Sequence, residues 1–123
     1  MPALAEASLS PRERNAVDRL VAGLEDAFGP RLRSVWLYGS RARGEQPHDE
    51  SDIDILVVVD AELPDDNRRA VRAAAAAEKA EGVGPVLFST LVYDAGRVAQ
   101  RRQIESFFIQ EVDRDKIVLY GAQ

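Results

Sequence analysis

Cysteine is absent, histidine and tryptophan occur once each, and Lys plus Arg number 16 against 21 Asp plus Glu. Without cysteine there is neither disulfide nor thiol chemistry, and a reducing cytoplasm is the expected setting. One histidine, His48, cannot build the paired-histidine zinc motifs, and no Walker A loop or G-x-G-x-x-G turn occurs. In its polar surroundings His48 reads as a surface-loop residue. The net charge of −5 argues against a non-specific nucleic-acid binder, because such a protein needs a positive face to meet phosphates. No apolar run nears the roughly 20 residues that span a bilayer. Residues 1–9 lack a basic segment before an apolar one, so they read as a flexible lead-in rather than a signal peptide.

What is present fits one globular domain over residues 1–123, with 46% hydrophobic and 30% charged residues. A chain of this size buries roughly two-thirds of its unfolded surface, enough for one core. Ser10-Pro11-Arg12-Glu13 reads as a capping box with proline at the first helical position. Val17, Leu20, Val21, Leu24 and Phe28 follow at helical spacing, and Gly29-Pro30 stops the helix. Residues 34–38 read as a strand, 40–44 as one helical turn and 46–51 as a polar loop. Residues 53–59 are almost wholly apolar, the mark of a strand buried on both faces. An alanine-rich helix is expected over 65–81, with packing as its role. A third strand is expected over 86–93, then one helix from Asp94 to about residue 111 with Val98, Ile104, Phe107 and Phe108 inward. A short strand over 117–120 closes the chain. This order predicts an α+β fold, a mixed, mostly antiparallel sheet flanked by helices.

The chemistry concentrates at the head of the apolar strand. Asp52 and Asp54 are two residues apart, so strand geometry points both to one face, about 7 Å apart at Cα. Two carboxylates about 6 Å apart at an effective dielectric of 20 repel by roughly 3 kcal/mol. Aspartate is also a poor strand residue. A divalent cation offsets both costs, and carboxylate oxygens suit Mg²⁺, which takes further ligands from water and substrate phosphates. Just upstream, Gly39-Ser40 follows a strand directly. Glycine allows a tight turn and a close ligand, and Ser40 with the turn's N–H groups suits an anion. Arg41 and Arg43 add charge that fits phosphate. An anion site and a cation site at one end of two strands are what phosphoryl or nucleotidyl transfer requires.

The two segments Gly39-Ser40-Arg41-Ala42-Arg43-Gly44 and Ser51-Asp52-Ile53-Asp54-Ile55 resemble the signature of the polymerase-β-type nucleotidyltransferase superfamily in its minimal form, the MNT domain. The tail "FFIQEVDRDKIVLYG" is similar to the way such domains end, and the resemblance spans residues 10–121. It implies Mg²⁺ on Asp52 and Asp54, at one or two sites, with Gly39 and Ser40 on the terminal phosphates of an NTP. It implies attack on the α-phosphate, most plausibly AMP transfer from ATP to an acceptor. Many minimal members pair with a HEPN-type toxin in toxin–antitoxin modules and silence it by AMPylation. A partner protein of that kind, or a homo-oligomer, is therefore expected, without a membrane.

Two departures stand out. The loop over residues 46–50 is one residue longer than the pattern. Catalytic members also carry a third carboxylate on a later strand, and here Ser89 takes that position. Asp94 lies past the strand's end and reads as a helix cap. The alternative to an enzyme is thus a nucleotide-binding, antitoxin-like regulatory module with weakened chemistry. Trp36 reads as core and Arg68-Arg69 and Arg101-Arg102 as solvated helix faces. Of Phe107 and Phe108, one is expected in the core and the other toward a partner.

Overall fold

Helix α1 (Pro11–Phe28) begins where the capping box forms. The Ser10 hydroxyl accepts the Glu13 N–H at 3.1 Å, and the Glu13 carboxylate accepts the Ser10 N–H at 2.9 Å. This reciprocal pair satisfies two N–H groups that the helix leaves orphaned. The computed structural model describes residues 7–45, 52–84 and 87–123. The expected polar loop with His48, and residues 1–6 of the expected lead-in, lie outside the described residues. Ala7 is buried, and the Ser8 N–H donates to the Arg41 carbonyl at 2.8 Å.

After a 3-10 turn at Gly29–Arg31 come β1 (Leu32–Tyr38), the short helix α2 (Gly39–Ala42), β2 (Ile53–Val59), α3 (Asp66–Glu81) and β3 (Phe88–Asp94). Helices α4 (Ala95–Gln103) and α5 (Phe107–Asp115) precede the last strand, β4 (Ile117–Gly121). The sheet order is β3-β2-β1-β4. β1 runs antiparallel to β2 and β4, whereas β2 and β3 are parallel. A parallel pair needs a crossover, and α3 provides it. The expected mixed, mostly antiparallel sheet is what the chain forms.

Period two sorts the side chains of β1 and β2 onto two faces. Val35, Leu37, Ile55, Val57 and Val59 join Leu20 and Leu24 of α1 and Ala70, Ala74 and Ala77 of α3 in the larger core. Trp36, Leu56 and Val58 point the other way, against Val98 of α4 and Ile109 and Val112 of α5. β2 is therefore covered on both sides, as its apolar run requires. Each such Leu, Ile or Val contributes about 1.5–3 kcal/mol relative to exposure. The alanines let α3 approach α1 closely: a Cβ added at Gly23 would sit 3.6 Å from Ala73 Cβ, ordinary contact. Among the described residues no helix is long and apolar enough to cross a membrane.

The single helix expected from residue 95 to about 111 is in fact two. α4 ends at Gln103, Glu105 takes φ 54°, and Ser106 caps α5 by accepting the Ile109 N–H at 3.3 Å. The break rotates the second helix, so Ile104 (58% exposed) leaves the core, contrary to expectation, and of the two phenylalanines it is Phe107 (85% exposed) that faces out. Phe108 goes inward, with its ring 5.4 Å from Tyr38 and 5.8 Å from Tyr93. Trp36 is core, its Nε1 donating to the Ala122 carbonyl at 2.8 Å.

Candidate active site

β1 delivers Tyr38 to the end of the sheet where β2 begins. Tyr38 lies opposite Asp54 in the antiparallel pair, and Asp54 lies beside Ser89 in the parallel pair. Paired residues share a face, so Tyr38, Asp54 and Ser89 form one row across three strands. That face also carries Leu56 and Val58 further along β2. The carboxylates thus sit where an apolar surface meets water. Asp54 is half-buried, and Asp52, one step ahead of the strand, is exposed.

The chain then turns at Gly39, whose φ is 80°. Only glycine adopts this readily. The position is also closed to a side chain, since a Cβ there would overlap the Oδ2 of Asp54 and lie 3.2 Å from its Cγ. The Gly39 backbone therefore rests directly on the Asp54 carboxylate. The helical turn expected from Ser40 starts one residue earlier, at Gly39, and Ser40 is half-buried within it.

Burial, and next the charge of Asp52, push the Asp54 carboxyl above its ordinary pKa, while Arg43 pulls it back. The Tyr38 hydroxyl is pushed up to about 12 by burial, then by the charge of Asp54 and by Tyr93. Tyr38 is therefore a neutral hydrogen-bond donor beside a carboxylate at neutral pH.

The two arginines part company. Arg41 does not point its charge into open space for a phosphate. Its side chain is 6% exposed, and Nη1 donates to the Ser8 carbonyl and to the Glu13 carboxylate, both at 2.9 Å. A buried guanidinium needs such partners, so Arg41 ties α2 to the start of α1. Arg43 stays at the site's rim. Its Nε donates to Glu45 at 2.6 Å and its Nη1 to Asp115 at 2.9 Å.

Asp94 sits at the opposite end of β3, paired with Val59, and caps α4 by accepting the Arg97 N–H at 2.6 Å. It is remote from Asp54 along the strands. Among the described residues no group of three or more Asp, Glu, His or Cys side chains is arranged to hold a metal. The donor set at the site is two carboxylates with a serine hydroxyl as neighbour. Two carboxylates fit one Mg²⁺ that keeps waters and takes phosphate oxygens. With Asp54 half-buried and repelled by Asp52, the site is electrostatically suited to a cation, and among the described residues no third acid joins the two. Sequence reasoning missed Tyr38 and Asp115. Tyr38 was legible as the residue before Gly39, whereas Asp115 meets Arg43 only through the fold.

An open mixed sheet with helices on both faces, and a Gly-Ser turn resting on Asp54 at the head of β2, make a nucleotidyltransferase fold. The model of the nucleotidyltransferase domain family matches residues 17–117. The chain belongs to that family. Solved structures of similar fold include a mutant of the toxin–antitoxin pair MntA–HpeT, 23% identical with TM-score 0.55, covering 87% of this chain and 74% of that one. A tri-AMPylated HEPN toxin from Shewanella oneidensis in complex with its MNT antitoxin is 20% identical with TM-score 0.51, covering 89% and 73%. A toxin–antitoxin complex with AMP-PNP is 25% identical with TM-score 0.54, covering 87% and 74%. No curated protein matches the chain.

Proposed function

We propose that this domain is a Mg²⁺-dependent nucleotidyltransferase that moves AMP from ATP to a partner protein, such as a HEPN-type toxin. One observation carries the reading: the backbone of Gly39 lies against the carboxylate of Asp54. A phosphate-binding turn and a metal-binding pair are then one site, not two. Asp52 and Asp54 would hold Mg²⁺, and Gly39 and Ser40 would receive the terminal phosphates. Bound there, Mg²⁺ would offset negative charge on the phosphate oxygens. In the reaction an acceptor hydroxyl oxygen bonds to the α-phosphorus, the bond from that phosphorus to the bridging oxygen of the β-phosphate breaks, and pyrophosphate leaves. The acceptor's proton passes to water or to a carboxylate at the site. Tyr38 flanks the Asp54 carboxylate on the β1 side as a neutral hydroxyl. Similar folds in toxin–antitoxin complexes, one of them carrying an AMPylated toxin, support a protein acceptor, and the cysteine-free composition suits the cytoplasm.

The test is calorimetric titration of Mg·ATP into the wild type and into the double variant Asp52→Ala/Asp54→Ala. Magnesium-dependent binding that disappears in the variant is expected. With a co-expressed acceptor, label from the α-phosphate of ATP should transfer, and Asp52→Asn or Asp54→Asn should abolish it. Transfer retained in both would end the reading.

Ser89 favours a second reading. It stands beside Asp54 in register, where a third carboxylate is expected. A domain with that deficit could act by binding nucleotide and partner without chemistry. Partner association that survives both aspartate substitutions, with no label transfer by the wild type, would select it.

A further inference from the structure

Arg43 is held from two sides by two different carboxylates. Glu45, half exposed and two residues along the chain, takes Nε at 2.6 Å. Asp115, its side chain only 9% exposed, takes Nη1 at 2.9 Å from across the domain. Asp115 is the last residue of α5, where the helix dipole disfavours negative charge. It is also nearly buried, a second cost for a carboxylate. Arg114 offsets part of this, with Nε and Nη2 donating to the two Asp115 oxygens at 3.0 and 3.1 Å. These arginine hydrogen bonds, Arg114 first, hold the Asp115 carboxyl below its usual range. Stabilising α5 itself would need no acid at this place. What the acid accomplishes is to fix one edge of Arg43, at the C-cap of the turn that begins on Asp54.

We propose that Asp115 is the positioning residue for Arg43: it pins Nη1, so that the Nε edge, occupied by the Glu45 carboxylate, is presented to the phosphates of the incoming nucleotide. This rests on the nucleotidyltransferase reading above. Glu45 is the exchangeable partner because its pair with Arg43 is exposed, and exposed pairs are weak. Asp115 is the permanent partner because it is shielded and doubly bonded. A phosphate oxygen replaces the Glu45 oxygen on Nε, the bond to Asp115 persists, and no atom is transferred.

The two carboxylates therefore have opposite expected effects. Asp115→Asn should weaken Mg·ATP binding by about tenfold, the size of one charge-assisted hydrogen bond, and raise the KM for ATP with little change in kcat. Glu45→Gln should tighten binding by about two- to fivefold, since a competitor for Nε is weakened. Asp115→Glu, which keeps the charge, should recover most of the affinity. In an Arg43→Ala background, Asp115→Asn should cost nothing further in ATP affinity. Calorimetry with Mg·ATP and with ATP in EDTA reads the affinities, label transfer to the acceptor reads KM and kcat, and a thermal melt checks that each variant folds. A wild type that binds no nucleotide overturns the nucleotidyltransferase reading and this inference with it. A wild type that binds, with Asp115→Asn binding equally well or costing the same with and without Arg43, overturns this inference alone.

Discussion

Replacing Gly39 by alanine tests the contact on which the site is built. Two costs fall together at this position. The φ of 80° is strained for any residue with a Cβ, at about 1–2 kcal/mol. The new methyl would also overlap Asp54 Oδ2, so the carboxylate must leave its rotamer, at about 0.5–1.5 kcal/mol. The total is about 1.5–3.5 kcal/mol, or roughly 6–14 °C in melting temperature for a domain of this size. Gly29 supplies the control: its φ is 57° and nothing lies within 4 Å of an added Cβ. At ψ −136° Gly29 lies outside the left-handed helical region, so Gly29→Ala should cost about 1–3 kcal/mol of backbone strain alone and leave the site untouched. Thermal melts of the three proteins, with Mg·ATP titrations alongside, separate the two contributions. Gly39→Ala should melt below the wild type and lose nucleotide binding, whereas Gly29→Ala, destabilised by backbone strain alone, should bind as the wild type does. Equal melting temperatures of wild type and Gly39→Ala, with nucleotide binding intact, would refute the contact.

Three further outcomes are expected. Asp66 accepts hydrogen bonds from Arg31 at 2.6 and 3.1 Å, and these hold its carboxyl below the ordinary value. A lowered folded-state pKa gives stability that is present above about pH 4 and lost as pH falls through the folded value. Asp66→Asn should thus cost about 3 kcal/mol at pH 7, with the gap to wild type closing below about pH 4 in urea titrations. Asp54 is raised in pKa by burial and by Asp52, so Asp54→Asn should make the metal-free protein more stable, by up to about 1 kcal/mol. Melts in EDTA read this, and an unchanged or lower melting temperature would count against a strained pair. Phe107 is 85% exposed, so Phe107→Ser should stay within about 0.5 kcal/mol of wild type. Phe108→Ala, which removes a ring from between Tyr38 and Tyr93, should cost about 2 kcal/mol in chemical denaturation.

Local signals made much of this fold legible. The capping box at Ser10 and Glu13, the helical stripe after it and the apolar run of β2 each name their element from neighbouring residues alone. The candidate site was legible for the same reason, because Gly39-Ser40 and Asp52-x-Asp54 are short segments whose geometry is local. The break between α4 and α5 was not. It contains neither glycine nor proline, and Glu105 adopts a positive φ that few non-glycine residues take. Tertiary packing of Phe108 and Ile109 outweighs the helical preference of the linking residues. Arg41 and Asp115 were opaque for another reason. Their partners Glu13 and Arg43 lie 28 and 72 residues away, so nothing in the local pattern distinguishes a phosphate-binding arginine from one that locks two helices together.

The neutral residue at Ser89 connects the stability of this site to its chemistry. Asp54 is already half-buried and repelled by Asp52, and its pKa is raised accordingly. A carboxylate at position 89, in register beside Asp54, would add a second like charge at cross-strand distance. At about 5 Å and an effective dielectric of 20 that charge costs roughly 3 kcal/mol, a large part of a small domain's stability. Such a row would depend on cations to fold well. With serine there, the row Tyr38-Asp54-Ser89 holds one carboxylate between two neutral hydroxyls, a polar site that tolerates the absence of metal. Under the proposed function, serine at this position also means one fewer possible ligand and base beside Asp54. On that same reading, fewer charges would make the fold less dependent on Mg²⁺ and leave phosphate binding to the Gly39 turn and Arg43.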